Sequence, residues 1–140
     1  MKKVIVLCTG NSCRSQMAQG FLNYFTGNRH SIYSAGICPH DIHPLAIKTM
    51  SELGIDISFH TSNDIKEYLD IDFDYIITVC DHAEERCPIF PNATAKRIHQ
   101  NFQDPSKMDG NDDQINQAFE SCRDKISEFC LAFCKKHLSN

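Results

Sequence analysis

Lys3-Val4-Ile5-Val6-Leu7-Cys8-Thr9-Gly10-Asn11-Ser12-Cys13-Arg14-Ser15-Gln16-Met17-Ala18-Gln19-Gly20-Phe21-Leu22-Asn23-Tyr24-Phe25 decides the fold, because its hydrophobic period changes in the middle. Lys3 to Leu7 is a β-branched, apolar run, the composition of a buried strand. From Ser15 to Phe25, the residues Met17, Ala18, Phe21, Leu22 and Phe25 recur at helical spacing. The polar stretch Cys8 to Arg14 joins the two, so the order is strand, loop, helix. Outward from there, Ser31 to Ser34 reads as a second strand before Ala35-Gly36. Pro44 opens a helix that runs through Leu53 and closes at Gly54, and Ser62 to Leu69 suggests another. Tyr75 to Val79 is a third buried strand and Lys96 to His99 a short fourth. Ile115 to His137 makes a long helix whose apolar face carries Ile115, Phe119, Cys122, Ile126, Phe129 and Phe133. Alternating strands and helices predict an α/β fold: a parallel sheet covered on both faces, with its ligand site outside the carboxyl ends of the strands.

The 140 residues, 41% of them hydrophobic, suit one domain spanning residues 1–140 with a single core. A net charge of −4, without a basic stripe, argues against nucleic acid and against an anionic membrane surface. The apolar run after Met1-Lys2-Lys3 is too short for a signal-peptide core or a membrane span, which implies a cytoplasmic protein. Eight cysteines in a reducing compartment then read as reactive, metal-binding or packed thiols instead of a disulfide framework.

Cys8 to Ser15 is where chemistry is expected. A loop entering a helix N-terminus offers free backbone N–H groups and the positive end of the helix dipole, which together suit a tetrahedral oxyanion. Thr9, Gly10, Asn11, Ser12, Cys13 and Arg14 would form that cradle, with Gly10 letting the backbone curl inward. The same field favours thiolate over thiol, making Cys8 the nucleophile. Arg14 supplies a planar two-pronged donor for the anion, and the Ser15 hydroxyl can hold the thiolate. The plainer alternative is a buried cysteine at a strand end followed by an ordinary helix-opening arginine.

Cys8-Thr9-Gly10-Asn11-Ser12-Cys13-Arg14-Ser15-Gln16-Met17-Ala18 resembles the low-molecular-weight tyrosine phosphatases and, almost letter for letter, the thioredoxin-coupled arsenate reductases that share their fold. Tyr33-Ser34-Ala35-Gly36, Gly54-Ile55-Asp56-Ile57-Ser58 and Asp104-Pro105 fall where that family has them, so the resemblance covers nearly the whole chain. It implies a four-stranded parallel sheet flanked by helices, with the anion loop after the first strand and an aspartate arriving from a later loop. Asp104, biased by Pro105 into an extended loop, would protonate the departing oxygen; its plainer reading is an Asx-turn residue.

Phosphate and arsenate have nearly the same shape and charge, so the loop alone does not separate the two activities. A phosphatase needs only water, whereas a reductase needs two electrons and further thiols. Cys80 closes the third strand on the same sheet edge as Cys8, and Cys87 follows in Cys80-Asp81-His82-Ala83-Glu84-Glu85-Arg86-Cys87-Pro88. In the reductase family such a pair attacks in turn, and Ser106-Lys107 stands where typical phosphatases carry aromatic residues after Asp-Pro. The resemblance therefore implies arsenate reduction by Cys8, Cys80 and Cys87, with phosphate or sulfate as competing anions. Thioredoxin or a similar thiol donor would be the reductant, the chain a monomer, and no cofactor required. The alternatives are a phosphotyrosine phosphatase in which Cys80 and Cys87 are packing thiols, and a zinc-binding or redox-sensing module. Cys80, His82 and Cys87, or Cys38, His40 and His43, are the conceivable zinc sets, though neither shows two spaced ligand pairs.

Cys122 and Cys130 fall among the apolar positions of the last helix and, with Cys134, read as fillers; Cys13 reads as a packing residue or a shield for Cys8. Two departures from the family pattern stand out. Some reductases of this kind bind potassium beside the loop, using acidic residues where this chain has Gln19 and Asn63. With only Asn11 and Ser34 left as oxygen ligands, no potassium dependence is expected. The segment His99 to Gln103 also lacks a tryptophan often seen there. Finally, Asp81 to Arg86 are mostly good helix formers and Pro88 ends the run, so Cys80 and Cys87 should bracket a short helix. Seven residues of helix span roughly 10 Å, and disulfide-linked Cα atoms lie within about 7 Å, so a Cys80–Cys87 bond requires that helix to unwind.

Overall fold

Val4, Ile5, Val6 and Leu7 are all fully buried, and because successive strand side chains point to opposite faces, a run with no exposed member is covered on both sides. It forms β1 (Lys3–Cys8), an inner strand of a four-stranded parallel sheet in the order β2-β1-β3-β4. The other strands are β2 (Ser31–Gly36), β3 (Tyr75–Thr78) and β4 (Lys96–His99). This computed structural model describes residues 1–87, 90 and 94–139.

Parallel neighbours need crossovers, and these carry α1 (Arg14–Thr26), α2 (Pro44–Ser51) and α3 (Asp81–Arg86); α4 (Asp112–Phe133) follows the last strand. α1 lies on β1 and β2, α4 packs along α1 and α2, and α3 rests against β1 and β3. The strand order fixes where a ligand can go. From β1 the chain crosses outward to β2 and then returns past β1 to β3, so the connections leaving β1 and β3 diverge and open a crevice between their carboxyl ends. Leu7 pairs with Thr78 in that register, which brings Cys80 abreast of Thr9, the residue after Cys8, at the mouth of the crevice.

Lys96–His99 coincides with the expected strand, α1 extends one residue further at each end than expected, and β3 stops one residue short. The run Ser62 to Leu69 differs more: only a 3₁₀ turn, Ile65–Tyr68, forms, capped by Asp64 and Glu67. The reason is a competing use of the backbone. Asn63 O accepts from Gly36 N at 2.8 Å and Asn63 N donates to Asn11 Oδ1 at 2.9 Å, so residues before Asp64 stay extended beside the loop. α4 begins earlier than expected, behind an Asn111–Gln114 capping box, and at Phe133 gives way to a π turn, Cys134–Leu138. α3 is the short helix anticipated between Cys80 and Cys87; Pro88, expected to end it, lies outside the described residues. Among the described residues no helix is long and apolar enough to cross a membrane.

Candidate active site

The loop after β1 is held from outside by its carbonyls. Cys8 O, Thr9 O, Gly10 O and Ser12 O accept the amides of Ile37, Cys38, His40 and His43 at 2.8–3.3 Å, and Asn11 O accepts Gln16 Nε2 at 3.0 Å. The amides of Gly10, Ser12, Cys13 and Arg14 keep no hydrogen-bond partner among the described residues. α1 starts at Cys13 with no side-chain cap and no acid in its first turn, so its orphan donors remain available to an anion. Close approach to β2 makes this possible, because a Cβ on Gly36 would stand 2.7 Å from Thr9 O and 2.8 Å from Asn11 N. The left-handed residue is Asn11, at φ 48. Gly10, expected to provide the inward curl, instead lies under the His40 ring, where a Cβ would meet Cδ2 at 3.0 Å.

Asn11 also organises the nucleophile. Its Oδ1 accepts Asn63 N, which orients the amide, and its Nδ2 donates to Ser15 Oγ at 2.8 Å and Ser34 Oγ at 3.0 Å. Ser15 Oγ is thereby left to donate to Cys8 Sγ at 2.9 Å, and Asn11 N donates to the same sulfur at 3.2 Å. Two donors converge on one buried sulfur and fix its position at the floor of the loop. On the outer side, Gln19 Nε2 donates to Ile32 O, and Gln19 Oε1 accepts from Ser34 Oγ at 2.6 Å. Asn63 Oδ1 accepts from Thr61 Oγ1. With no carboxylate in this set and a donor already on each oxygen, these residues do not fit a potassium ion.

Arg14 reaches a hollow of about 160 Å³ floored by Cys8 and closed by Asp104, with His40, Ser106 and Lys107 on its rim. Its Nη1 donates to Phe102 O at 2.8 Å and its Nη2 to Asp104 Oδ2 at 3.4 Å. Asp104 Oδ1 accepts from both Ser106 N and Ser106 Oγ, at 2.9 and 2.7 Å. Both carboxyl oxygens thus accept hydrogen bonds, and the residue is an Asx-type cap as well as a wall of the hollow. Phe102, in the segment without tryptophan, is buried edge-on against Phe129, 5.8 Å between centroids. A larger hollow of about 390 Å³ adjoins Asp104 on the α4 side, lined in part by Cys122, away from Cys8.

Across the crevice, Thr9 Oγ1 stands 3.3 Å from Cys80 Sγ and 3.0 Å from His82 Nδ1, so the Thr9 side chain faces the second cysteine. Cys80 is buried and caps α3, its sulfur accepting Ala83 N at 3.4 Å. Cys87, at the other end of α3, is half-buried and accepts Arg97 Nη1 at 3.3 Å. All eight cysteines are free thiols.

Burial separates the remaining cysteines from these. It pushes Cys13 up to about 12, offset in part by the Ser12 hydroxyl, and Cys122 and Cys134 up to about 11. Cys130, wholly enclosed, is raised well above its ordinary value. These groups stay protonated and inert near neutral pH. Among the described residues, no three His, Cys, Asp or Glu side chains converge to hold a metal ion. Cys8, Arg14 and Asp104 meet at one hollow, with Ser15 buried behind Cys8, Cys80 across Thr9 and Cys87 at the far end of α3. His40, read from sequence only as a conceivable zinc ligand, and Lys107 stand on the rim, and Asn11, Ser34 and Gln19, read as cradle or cation positions, form a hydrogen-bonded chain behind the loop whose hold on Ser15 was not legible. Only the unusual Asn at the turn gives a signal, since Asn is among the few residues other than Gly that tolerate a left-handed backbone.

The family model described as low molecular weight phosphotyrosine protein phosphatase matches residues 3–140. An arsenate reductase of Halalkalibacterium halodurans is 44% identical over 135 residues, 96% of each chain. A solved arsenate reductase in its oxidized state overlays with a TM-score of 0.83 at 29% identity, covering 97% of this chain and 98% of that one. Another, in the phosphate binding state, gives 0.74 at 32% identity with the same coverage. This chain therefore belongs to the low molecular weight phosphotyrosine protein phosphatase family and stands close in sequence to its arsenate reductases.

Proposed function

We propose that this protein reduces arsenate to arsenite by passing two electrons through Cys8, Cys80 and Cys87. The observation that carries the reading is the second thiol beside the first: Cys80 Sγ lies 3.3 Å from the hydroxyl of Thr9, the residue next to Cys8. A phosphatase mechanism has no use for it. In the proposed sequence the loop amides and Arg14 hold arsenate while Cys8 Sγ attacks arsenic. Asp104 gives a proton to the departing oxygen, once the anion draws Arg14 away from the carboxyl and leaves it free to protonate. Cys80 thiolate then attacks Cys8 Sγ; the sulfur–arsenic bond breaks and its electron pair stays on arsenic, releasing arsenite from a Cys8–Cys80 disulfide. Cys87 attacks Cys80, frees Cys8 as a thiolate and leaves Cys80–Cys87. A dithiol donor such as thioredoxin reduces that disulfide and completes the cycle.

The relatives named arsenate reductase support the substrate, and the relative in a phosphate binding state supports competition by phosphate; sulfate, of the same shape, is expected alongside it. A cytoplasmic, monomeric enzyme is the accompanying expectation. The test supplies arsenate with reduced thioredoxin, and separately an aryl phosphate. Sustained arsenite formation, outpacing ester hydrolysis, is expected. Hydrolysis without arsenite would favour the phosphatase reading, in which Cys8, Arg14 and Asp104 suffice.

A further inference from the structure

We infer that His82 is the proton acceptor for Cys80, acting through the Thr9 hydroxyl, so that the second thiol is ionised on demand at the moment of its attack. The inference rests on the thiol sequence proposed above and adds a positioning residue to it. Cys80 must lose a proton before it can attack a sulfur, yet its side chain is 3% exposed. Its sulfur has two hydrogen-bond partners among the described residues, Ala83 N and Thr9 Oγ1. An amide N–H only donates, so the proton has one exit, the Thr9 oxygen. That oxygen is in turn 3.0 Å from His82 Nδ1, and His82 is solvent-exposed.

The bookkeeping closes with two short hops. Cys80 S–H gives its proton to Thr9 Oγ as the Thr9 hydroxyl proton passes to His82 Nδ1. The products are an imidazolium in water and a buried thiolate facing two donors, Thr9 O–H and Ala83 N–H. Imidazole is the side chain suited to this exchange near neutral pH. The surrounding charges leave it free to act. On α3, Asp81 and Glu84 lie 2.7 and 3.5 Å from His99 and so face β4; Glu85 and Arg86 complete the helix's charges. The strands under α3 carry Lys3, Cys8 and Tyr75 as titratable groups, of which only Cys8 is at the α3 end of the sheet.

Two measurements test the assignment, and His82→Gln serves both, since it keeps an acceptor for the Thr9 hydroxyl but takes no proton. In a Cys87→Ser background the reaction stops at Cys8–Cys80, and rapid-quench arsenite release reads the course through the second step without the third. His82→Gln should slow it about 10–100-fold between pH 6 and 7.5, with the gap closing above about pH 9, where a thiol ionises unaided. Thr9→Ser, which keeps the hydroxyl, should retain the parent pH profile. In a Cys8→Ser/Cys87→Ser background, alkylation of Cys80 by iodoacetamide should show the same pH-dependent loss. Because this arm needs no arsenate, it judges His82 even if arsenate reduction itself fails. An unchanged alkylation profile in His82→Gln would overturn the inference, as would a loss by one constant factor at every pH, the mark of a merely structural role.

Discussion

Two thiol-bearing segments share one edge of the sheet, and they are built in opposite ways. The loop from Cys8 to Ser15 is tied down nearly residue by residue, through its carbonyls to residues 37–43 and through Asn11 to Ser15, Ser34 and Asn63. The segment from Cys80 to Cys87 is a six-residue helix with its first turn pinned by Asp81 N on Asn101 Oδ1 and by His99 on Asp81, and its far end held by Arg97 on Cys87. The first is fixed mainly through its backbone, whereas the described ties of the second run mainly through side chains. Preorganisation serves attack on a bound oxyanion, and marginal stability serves a thiol that must travel.

The sharpest division comes from removing the thiols one at a time. Cys8→Ser should cost about 10⁴-fold or more in both arsenate reduction and aryl phosphate hydrolysis, because each begins at that sulfur. Cys80→Ser and Cys87→Ser should abolish thioredoxin-driven turnover while leaving ester hydrolysis within a few-fold of wild type. Multiple turnover in either variant, assayed as arsenite formed per chain, would break the comparison at its root.

A smaller effect probes the rigid segment. Arg14→Lys should lose about 100-fold or more in kcat/KM for arsenate, since a point charge cannot span the anion while facing Phe102 O. Gly36→Ala would press a methyl group on Thr9 O and Asn11 N; it should cost about 1–3 kcal/mol in denaturant unfolding and weaken phosphate binding. Retained binding would show that the loop tolerates movement.

The segment between the second and third thiols is probed by amide exchange across residues 80–87. Oxidation to the Cys80–Cys87 disulfide should speed exchange in α3 about tenfold or more, while residues 9–15 stay unchanged. Equal protection in both states, with the disulfide confirmed by mass, would mean that the two cysteines meet without unwinding the helix.

The smallest effect concerns the bystander thiols. Burial raises Cys13, Cys122, Cys130 and Cys134 above their ordinary value of 9.0 in the folded chain. As pH rises past that value the unfolded chain ionises first, so stability is fully present below about pH 9 and is lost above it. Urea midpoints should fall between pH 8 and 10.5, and Cys130→Ala should flatten that fall even though it lowers stability at every pH.

Much of this was readable from patterning. The Lys3–Leu7 run is legible as a buried strand from its β-branched apolar composition, and the loop's composition announced an anion site. What escaped is whatever depends on where a side chain turns. Ser62 to Leu69 has helical composition, but Asn63 spends its backbone on Gly36 and Asn11. Thr9 reads as a member of the anion cradle, yet its hydroxyl faces Cys80 and His82. Arg14 reads as an anion clamp, and it is also fastened to Phe102 O and Asp104, residues nearly ninety positions away that no local pattern connects to it.

The central claim is that electrons leave this protein's own thiols in a fixed order. It is tested most directly by mixing fully reduced protein with excess arsenate and no donor, then measuring arsenite and mapping disulfides after acid quench. The account predicts one arsenite per chain and a single Cys80–Cys87 disulfide, with a Cys8–Cys80 bond in its place in Cys87→Ser. Absence of arsenite, or stoichiometric arsenite with Cys80 still a free thiol, would contradict it.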